Sequence, residues 1–305
     1  MTFSVLAVVG PTASGKSGLG IQIAKTLIGQ GQPAEIINAD AMQLYRGMDI
    51  GTAKLTNSEK EGVVHHLLDA IGPDQEMTAL EYQSLARSKA QDLLDQGITP
   101  IFVGGSMFYI SAALDNLDFS PTDAVVRAKY EDMAQVKGNL AMHALLRSLD
   151  EKSAEIIPAE NRRRVVRALE VIEITGQPYP SVLPEPIFWK PSLALGISVD
   201  RQILKGRIAS RVELMWQSGL LDEAESLRGS HSLSRTAFRA IGYSQAFAQL
   251  DGTLSESEAK ADTISLTQRY ARRQMSWFNR DKRIKWLDGS QDLLPQALNQ
   301  IRLAS

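Results

Sequence analysis

Residues 10–17 constrain the fold of this chain more than any other segment. They read Gly-Pro-Thr-Ala-Ser-Gly-Lys-Ser and match the phosphate-binding pattern G-x-x-x-x-G-K-[ST] in full. An apolar run at residues 5–9 precedes them, and a stretch suited to a helix follows at residues 17–28. In a strand–loop–helix of this kind, glycines let the backbone wrap around an anion and N–H groups at the helix start point toward it. Lys16 would add a positive charge, and the Ser17 hydroxyl is a candidate ligand for Mg²⁺. The segment therefore predicts a polyphosphate site without saying which polyphosphate binds.

Short apolar runs separated by helical patterns predict a parallel sheet with helices around it, which is an α/β fold. The runs lie at residues 6–9, 35–38, 100–103 and 193–199. Ligands of such sheets bind beyond the carboxyl ends of the strands. The segments that follow the runs are therefore the ones to inspect: residues 10–17, 40–43, 104–106 and 200–201.

The middle of the chain lacks strand patterns. Residues 161–175 predict a helix, with Pro158 before it and Gly176 after it as start and stop signals. A stiff, extended segment is expected next, because residues 176–191 contain five prolines. These are Pro178, Pro180, Pro184, Pro186 and Pro191. We predict a helical insertion domain at 118–185, with residues 1–117 and 186–305 forming the phosphate-loop core.

The net charge, the lack of cysteine and the lack of long apolar runs exclude several classes of function. The net charge is −2 at pH 7, so any nucleic-acid surface must be a local patch rather than a global field. The chain has no cysteine, which excludes disulfides, thiolate metal sites and cysteine nucleophiles. No apolar run approaches the ~20 residues that span a bilayer, and no signal-peptide pattern is present. We expect a cytoplasmic protein, without a membrane partner, that is a monomer.

Two polar residues follow predicted strands and could take part in chemistry. Asp40 could hold Mg²⁺, act as a general base or cap a turn, and its spacing does not decide among these roles. Ser106 follows two glycines that would let the backbone approach a ligand. Its hydroxyl could donate to a phosphate oxygen, cap the next helix, or do both.

Two arginine clusters stand out in an otherwise slightly acidic chain. The first contains Arg162, Arg163, Arg164 and Arg167. In the second, at residues 268–278, arginines alternate with aromatic residues, a composition that suits a phosphate backbone with unpaired bases. Either cluster alone is better explained by a solvated helix face. Together with a phosphate loop they favour a nucleic-acid substrate.

Taken in order, these motifs resemble those of the bacterial tRNA isopentenyltransferase family, the tRNA dimethylallyltransferases. The most specific match is Asp-x-x-Gln-x-Tyr at residues 40–45, followed by Gly-Met-Asp-Ile-Gly-Thr-Ala-Lys at residues 47–54. The other matching segments are residues 10–17, 65–67, 103–110, 161–170, 239–243 and 267–277. The chain departs from the family pattern at four positions: Ala41 replaces a usual serine, Ser106 a threonine whose hydroxyl it keeps, Ser244 a usual lysine or arginine, and Gln268 a usual arginine.

The resemblance implies a P-loop NTPase-like parallel sheet flanked by helices, with the insertion clasping the anticodon stem-loop of tRNA. It implies transfer of a dimethylallyl group from dimethylallyl diphosphate to N6 of the adenosine immediately 3′ of the anticodon, in tRNAs that read codons beginning with U. The products are N6-isopentenyladenosine and diphosphate. Asp40 would accept the N6 proton, and Ser106 and Arg239 would contact the diphosphate. Lys16, with Mg²⁺ on Ser17, would neutralise the leaving group.

The resemblance also implies two sets of binding residues. Those expected to bind the diphosphate are Gly10, Pro11, Thr12, Ala13, Ser14, Gly15, Lys16 and Ser17. Those expected to bind tRNA are Gln43, Arg162, Arg163, Arg164, Arg167, Arg269, Arg272, Arg273 and Gln274.

Two other enzyme classes share parts of this pattern. An adenylate isopentenyltransferase would use the same loop and aspartate on a free nucleotide, but it needs neither the insertion nor the arginine-rich C-terminal helix. A small-molecule kinase would share the loop, but we find no apolar strand ending in a second acidic Mg²⁺ ligand.

Overall fold

The computed structural model describes residues 2–182, 185–230 and 232–304, so Pro184 of the predicted proline-rich segment lies outside the described residues. The chain divides into two compact units. One comprises Met1–Asn116 and Phe188–Ser305, and the other is Leu117–Ile187.

The first unit is built on a six-stranded sheet with the strand order β3-β2-β4-β1-β5-β6, and each described strand pair is parallel. The strands are β1 (Val5–Val9), β2 (Ala34–Asn38), β3 (His65–His66), β4 (Thr99–Gly104), β5 (Ser192–Ser198) and β6 (Lys285–Asp288). This sheet confirms the predicted α/β fold. The sequence did not indicate β3 and β6, because β3 has two residues and β6 has four, of which the first and last are charged.

Helices cover both faces of the sheet, which explains why the central strands are continuously apolar. In β1, Val5, Ala7 and Val9 pack into one core, while Leu6 and Val8 pack into the other. The helices of the first unit are α1 (Lys16–Gly29), α2 (Ala79–Asp95), α3 (Met107–Leu114), α7 (Arg201–Gln217), α8 (Leu220–Ser230), α9 (Arg235–Phe238), α10 (Tyr243–Leu250), α11 (Glu256–Phe278) and α12 (Leu293–Leu303).

Local signals set where several helices begin. The side chain of Thr78 accepts a hydrogen bond from the backbone N–H of Glu81, whose carboxylate accepts one in return, so α2 begins with a capping box. Ser255 and Glu258 start α11 in the same way. The start of each of these two helices is therefore fixed by residues within its first turn.

The second unit is helical and has its own apolar core. Its helices are α4 (Ala124–Leu149), α5 (Glu151–Ile156) and α6 (Arg162–Thr175). Gly138 breaks α4 with a φ of 79°, which is a left-handed backbone angle that suits glycine. As predicted, α6 ends at Gly176, which is also left-handed with a φ of 66°. Tyr130, Leu146 and Leu169 lie in the buried core between these helices.

In the ranges that the structure describes, no helix is both long enough and apolar enough to cross a membrane.

Candidate active site

The loops after β1, β2 and β4 form the candidate site, because these strands are neighbours in the sheet and their carboxyl ends lie side by side. Backbone contacts hold the last two loops together. Ala39 N–H donates to the carbonyl of Val103 at 2.8 Å, and Ser106 N–H donates to the carbonyl of Ala39 at 3.3 Å. A Cβ on Gly104 would overlap the backbone of Ala39. This glycine therefore allows two protein segments to approach each other, whereas the sequence suggested approach to a ligand.

The phosphate loop follows β1 directly and turns through three left-handed or glycine-type conformations. The φ angles are 145° at Gly10, 62° at Ala13 and 95° at Gly15. A positive φ at an alanine is strained, and such strain is often retained where a loop must hold a particular shape for function. The buried Ser14 hydroxyl oxygen has no hydrogen-bond partner among the residues that the structure describes. An unpaired buried donor in an anion-binding loop is suited to an anionic ligand.

Lys16 is the first residue of α1, and its ammonium group folds back over the loop. The Nζ atom donates to the carbonyl of Pro11 at 2.6 Å. Burial lowers the pKa of Lys16 to about 8, the Asp40 carboxylate opposes that shift, and the Arg211 guanidinium adds to it. The loop therefore has a partly buried cation whose pKa is lower than that of an ordinary lysine.

Arg211, on α7, supplies a second positive charge that the sequence motifs did not reveal. Its guanidinium donates to the Thr12 hydroxyl at 3.2 Å and to the carbonyl of Thr52 at 3.0 Å. The sequence did carry one signal: Arg211 falls three residues after Ile208 and four before Met215, on the buried face of the helix. An arginine on a buried face requires polar partners, which here come from the phosphate loop and its neighbour.

Asp40 follows β2 and is held by its own segment. Its backbone N–H donates to the Asn38 side chain at 3.0 Å, and its Oδ1 atom accepts from the Met42 N–H at 3.0 Å. The turn-capping role considered from the sequence is thus present. The negative charge of Asp40 also acts on Lys16 and Arg211, where it opposes the lowering of each pKa by burial. One carboxylate and two cations therefore converge on the phosphate loop.

Ser106 stands at the N-cap position of α3, but its side chain makes no capping hydrogen bond. Instead its Oγ atom accepts from the Ala41 N–H at 2.8 Å, which ties the β4–α3 loop to the segment that carries Asp40. This hydrogen bond uses the backbone N–H of Ala41, so it does not depend on the serine side chain that the family usually has at position 41. Tyr270 lies against the same serine, and burial together with the Asp40 charge raises the pKa of Tyr270 to about 12.

Gln274 connects two of these loops from α11. It is 1% exposed, its Oε1 atom accepts from the Thr12 N–H at 2.8 Å, and its Nε2 atom donates to the carbonyl of Gly105 at 2.7 Å. The sequence placed Gln274 among the tRNA-binding residues. The structure corrects this, because a buried side chain with both amide groups engaged inside the protein has no surface to offer to RNA.

Gln43 also has partners inside the protein. Its Nε2 atom donates to the carbonyls of Thr52 at 3.2 Å and Ala53 at 3.3 Å. The segment that it contacts is pinned from the other side by Glu223, whose carboxylate accepts from the Ile50 N–H at 2.9 Å. The most family-specific motif of the sequence is therefore a fixed loop beside the site.

Arg239 lies at the end of α9 and is exposed. Its side chain makes no hydrogen bond or ion pair with the part of the chain that the structure describes. Contact between Arg239 and a diphosphate stays a prediction.

The arginine cluster of α6 separates into two kinds of residue. Three members have partners within the second unit: Arg162 donates to the carbonyl of Glu131 at 2.7 Å, Arg164 to that of Ser181 at 2.9 Å, and Arg167 to that of Ser120 at 2.7 Å. Arg163 is exposed. The four residues are therefore not equivalent as candidates for RNA contact, and Arg163 is the one most available.

Arg167 has a further structural partner in Glu170, whose side chain is 0% exposed. The Glu170 carboxylate lies 2.8 Å from the Arg167 guanidinium and 3.0 Å from that of Arg127. Burial alone would raise the pKa of Glu170, but hydrogen bonds from Arg167, Thr122, the Asp123 backbone and Arg127 outweigh it and lower that pKa. Arg167 thus neutralises a buried carboxylate, and its loss would disturb the unit itself.

On α11, Arg269, Arg272 and Arg273 are exposed. The Arg273 guanidinium lies 5.7 Å from the centre of the Tyr270 ring. The helix therefore presents positive charge to solvent on one side and Gln274 to the site on the other.

The residues at the loop fit the needs of Mg²⁺. In the described part of the chain no three His, Cys, Asp or Glu side chains gather into a metal site. Mg²⁺ does not need one, because it commonly keeps several waters and takes one or two protein oxygens beside substrate phosphates. The Ser17 hydroxyl, in the first turn of α1, and the Asp40 carboxylate are oxygen donors of this kind.

A parallel sheet with a phosphate loop after β1, and an aspartate two residues after the end of β2, defines a P-loop-type α/β protein. A family model described as IPP transferase matches residues 43–281. The chain belongs to this IPP transferase family, which confirms the resemblance drawn from the sequence motifs.

Curated relatives agree with the family. The chain is 50% identical over 285 residues to a tRNA dimethylallyltransferase of Thermobifida fusca, covering 93% of this chain and 89% of the relative. It is 47% identical over 309 residues to a tRNA dimethylallyltransferase of Kineococcus radiotolerans, covering 99% and 97%.

Solved structures give the same result. The tRNA isopentenylpyrophosphate transferase of Bacillus halodurans superposes with a TM-score of 0.72 at 34% identity, covering 99% of this chain and 96% of that one. A eukaryotic dimethylallyltransferase acting on tRNA gives a TM-score of 0.82 at 24% identity, with 96% and 77% covered, and shares the fold.

Proposed function

We propose that this protein transfers a dimethylallyl group from dimethylallyl diphosphate to N6 of the adenosine immediately 3′ of the anticodon, in tRNAs that read codons beginning with U. The observation that carries the proposal is the convergence of Asp40, Ser106, Lys16 and Arg211 on one phosphate loop. A carboxylate beside an anion site suits a reaction in which the acceptor loses a proton and the donor loses an anionic leaving group. The carboxylate can take the proton while the site holds the anion. Membership of the IPP transferase family supports a prenyl donor, and the names of the curated relatives support a tRNA acceptor.

In the proposed reaction the adenine N6 attacks C1 of the allyl group, the C1–O bond breaks, and diphosphate leaves with the bonding electrons. Asp40 accepts the proton that N6 loses, which matters because an exocyclic amine is a weak nucleophile. One Asp40 oxygen is already held by the Met42 N–H, so the orientation of the carboxylate is set before substrate arrives.

Charge on the leaving diphosphate is stabilised by groups that are already in place. Lys16 and Arg211 supply two cations, and the buried Ser14 hydroxyl offers an unpaired donor. The Ser106 oxygen accepts from Ala41 and its side chain also hydrogen-bonds Tyr270, so its hydroxyl would exchange the tyrosine for the diphosphate when the donor binds. Mg²⁺ held at Ser17 would neutralise further charge on the leaving group.

The acceptor would be held by exposed arginines, which on the first unit are Arg269, Arg272 and Arg273 and on the second unit Arg163. Contacts of this kind bind the phosphate backbone and weaken steeply with salt. The target base must leave its stack to reach the loop. The proposal includes a role for residues 118–185, which would clasp the stem-loop.

The test is a transfer assay. Purified protein is incubated with Mg²⁺, dimethylallyl diphosphate and an unmodified anticodon stem-loop, with AMP as a parallel acceptor, and the products are identified by mass spectrometry. We expect prenylated adenosine on the stem-loop only. Product on AMP would instead assign the chain to the free-nucleotide enzymes. Absence of product on both acceptors would overturn prenyl transfer, and a phosphoryl-transfer screen would follow.

A further inference from the structure

Gln274 is the side chain through which α11 reaches two catalytic loops at once. It accepts from the Thr12 N–H in the phosphate loop and donates to the Gly105 carbonyl in the β4–α3 loop. Thr12 and Gly105 lie 262 and 169 residues away along the chain. We propose that Gln274 is a positioning residue that sets the spacing between the leaving-group loop and the segment that carries Ser106 and Asp40. The inference deepens the proposed function and rests on it.

The contacts form one continuous path across the site. Gly105 precedes Ser106, whose Oγ atom accepts from Ala41, the neighbour of Asp40. On the other side, Thr12 also receives the guanidinium of Arg211. One amide therefore joins the groups that would hold the diphosphate to the groups that would hold the base. In a displacement reaction the nucleophile and the leaving group lie on opposite sides of the reacting carbon, so this spacing controls alignment.

The chemistry of the position requires glutamine. The bridge needs an acceptor for a backbone N–H and a donor for a backbone carbonyl, and an amide carries both. A glutamate lacks the donor, and a methionine of similar size lacks both. The buried Gly105 carbonyl and the partly buried Thr12 N–H would then be left without partners, which is costly in a close-packed interior.

Gly105 gives an independent view of the same contact. A Cβ at this position would overlap the Nε2 atom of Gln274, and it would lie 3.1 Å from the carbonyl oxygen of Gly10. The glycine is therefore needed by the amide bridge. Substituting Gly105 breaks the bridge without changing Gln274.

The bridge also connects the helix that would bind the RNA acceptor to the loop that would bind the prenyl donor. Arg273 is adjacent to Gln274 on α11 and is exposed. An RNA backbone held by the arginines of α11 is thus held at a fixed distance from the phosphate loop, through one rigid helix.

The test compares Gln274→Met, Gly105→Ala and the double variant with wild type. The measurements are kcat, KM for dimethylallyl diphosphate, Kd for the stem-loop and the melting temperature. Misplacement of reacting groups by about 1 Å costs on the order of 100-fold in rate, so we expect each single variant to lose kcat by about that factor. We expect the Kd for the stem-loop to stay within about twofold, since an exposed arginine face would be left unchanged. The double variant should be no worse than the poorer single variant by more than a few fold, because both substitutions break one contact.

A matched control separates positioning from general support of the fold. Gln245 is also buried, and its side chain likewise joins two elements, with Oε1 accepting from the Gly242 N–H at 2.9 Å and Nε2 donating to Asp262 at 2.8 Å. Gln245→Met should lower the melting temperature without lowering kcat. Equal losses of kcat in both methionine variants would reduce Gln274 to a structural role and overturn the inference.

Other outcomes also decide the question. A weaker Kd for the stem-loop with unchanged kcat at saturation would make Gln274 an RNA contact and overturn the inference. If Gln274→Met fails to fold, Gln274→Glu keeps the size and the acceptor atom and is measured in its place. If the wild type gives no product, the proposed function fails, and the bridge is then judged by calorimetric titration with inorganic pyrophosphate. Weaker pyrophosphate binding in the variant supports the bridge, and equal binding in wild type and variant overturns it.

Discussion

The pH dependence of donor use follows from the buried ammonium group of Lys16. Burial lowers the pKa of Lys16 to about 8, although Asp40 opposes the shift. Because kcat/KM reports ionisations of the free enzyme, kcat/KM for dimethylallyl diphosphate should follow the charge on Lys16. The cation is the form that attracts the diphosphate, so kcat/KM should fall as the pH rises.

The size of the effect follows from the pKa of about 8. Lys16 is about nine-tenths protonated at pH 7, about half at pH 8 and about one-tenth at pH 9. If the neutral form does not use the donor, kcat/KM falls about tenfold between pH 7 and pH 9. The assay is initial-rate transfer to a saturating stem-loop, with the donor varied at half-unit intervals of pH.

The control is Lys16→Arg, which keeps its charge to above about pH 12. Its absolute rate is expected to be lower because arginine is larger, but its kcat/KM should stay flat from pH 7 to pH 9. Ionisation of the donor affects both proteins equally and therefore cancels in the comparison. An equal decline in the arginine variant would show that another group titrates, and the assignment to Lys16 would be wrong.

Three further predictions concern Asp40, the α6 cluster and the buried carboxylate of the second unit. Asp40→Ala should lower kcat by about 10²–10⁴-fold, the range for losing a general base, while Kd for the stem-loop is kept; turnover near wild type would remove Asp40 as the base. Arg163→Ala should weaken stem-loop binding and lower the slope of log Kd against log salt by about 1 without changing the melting temperature, whereas Arg167→Ala should also destabilise the protein. Glu170→Leu should lower the free energy of unfolding by about 1–3 kcal/mol, because it removes the buried carboxylate that accepts hydrogen bonds from Thr122, the Asp123 N–H and two partly exposed arginines, whereas Glu173→Leu, at an exposed carboxylate, should have a smaller effect. Since folding lowers the pKa of Glu170, its stabilising contribution is complete above about pH 4.5 and is lost as the pH falls further, which urea titrations at pH 7 and pH 4 would detect.

Local sequence signals predicted much of the framework. The phosphate loop, the four longest apolar strands and the ends of α6 depend on residues close together in the chain, and the structure has all of them. The prediction of a parallel sheet also put Asp40 and Ser106 at the same edge of that sheet, because the carboxyl ends of parallel strands point the same way. In the structure they lie in the loops after the neighbouring strands β2 and β4. β3 could not be predicted, because it consists of two histidines and has no apolar pattern of its own.

The roles of individual polar side chains were decided by the tertiary structure. Arg211 belongs to no motif, yet folding brings it to Thr12 across 199 residues of chain. Gln274 lies in an arginine-rich stretch that predicted RNA contact, but its helix turns it inward to hold two loops. The α6 arginines look alike in sequence, and the partners that their helix neighbours present make Arg167 structural and leave Arg163 to solvent. The sequence by itself thus determined the loop, the sheet and the class of chemistry, since these follow from local pattern and strand direction. Which arginine is free and which amide bridges the site depends on contacts between distant segments, and such contacts exist only once the helices have packed.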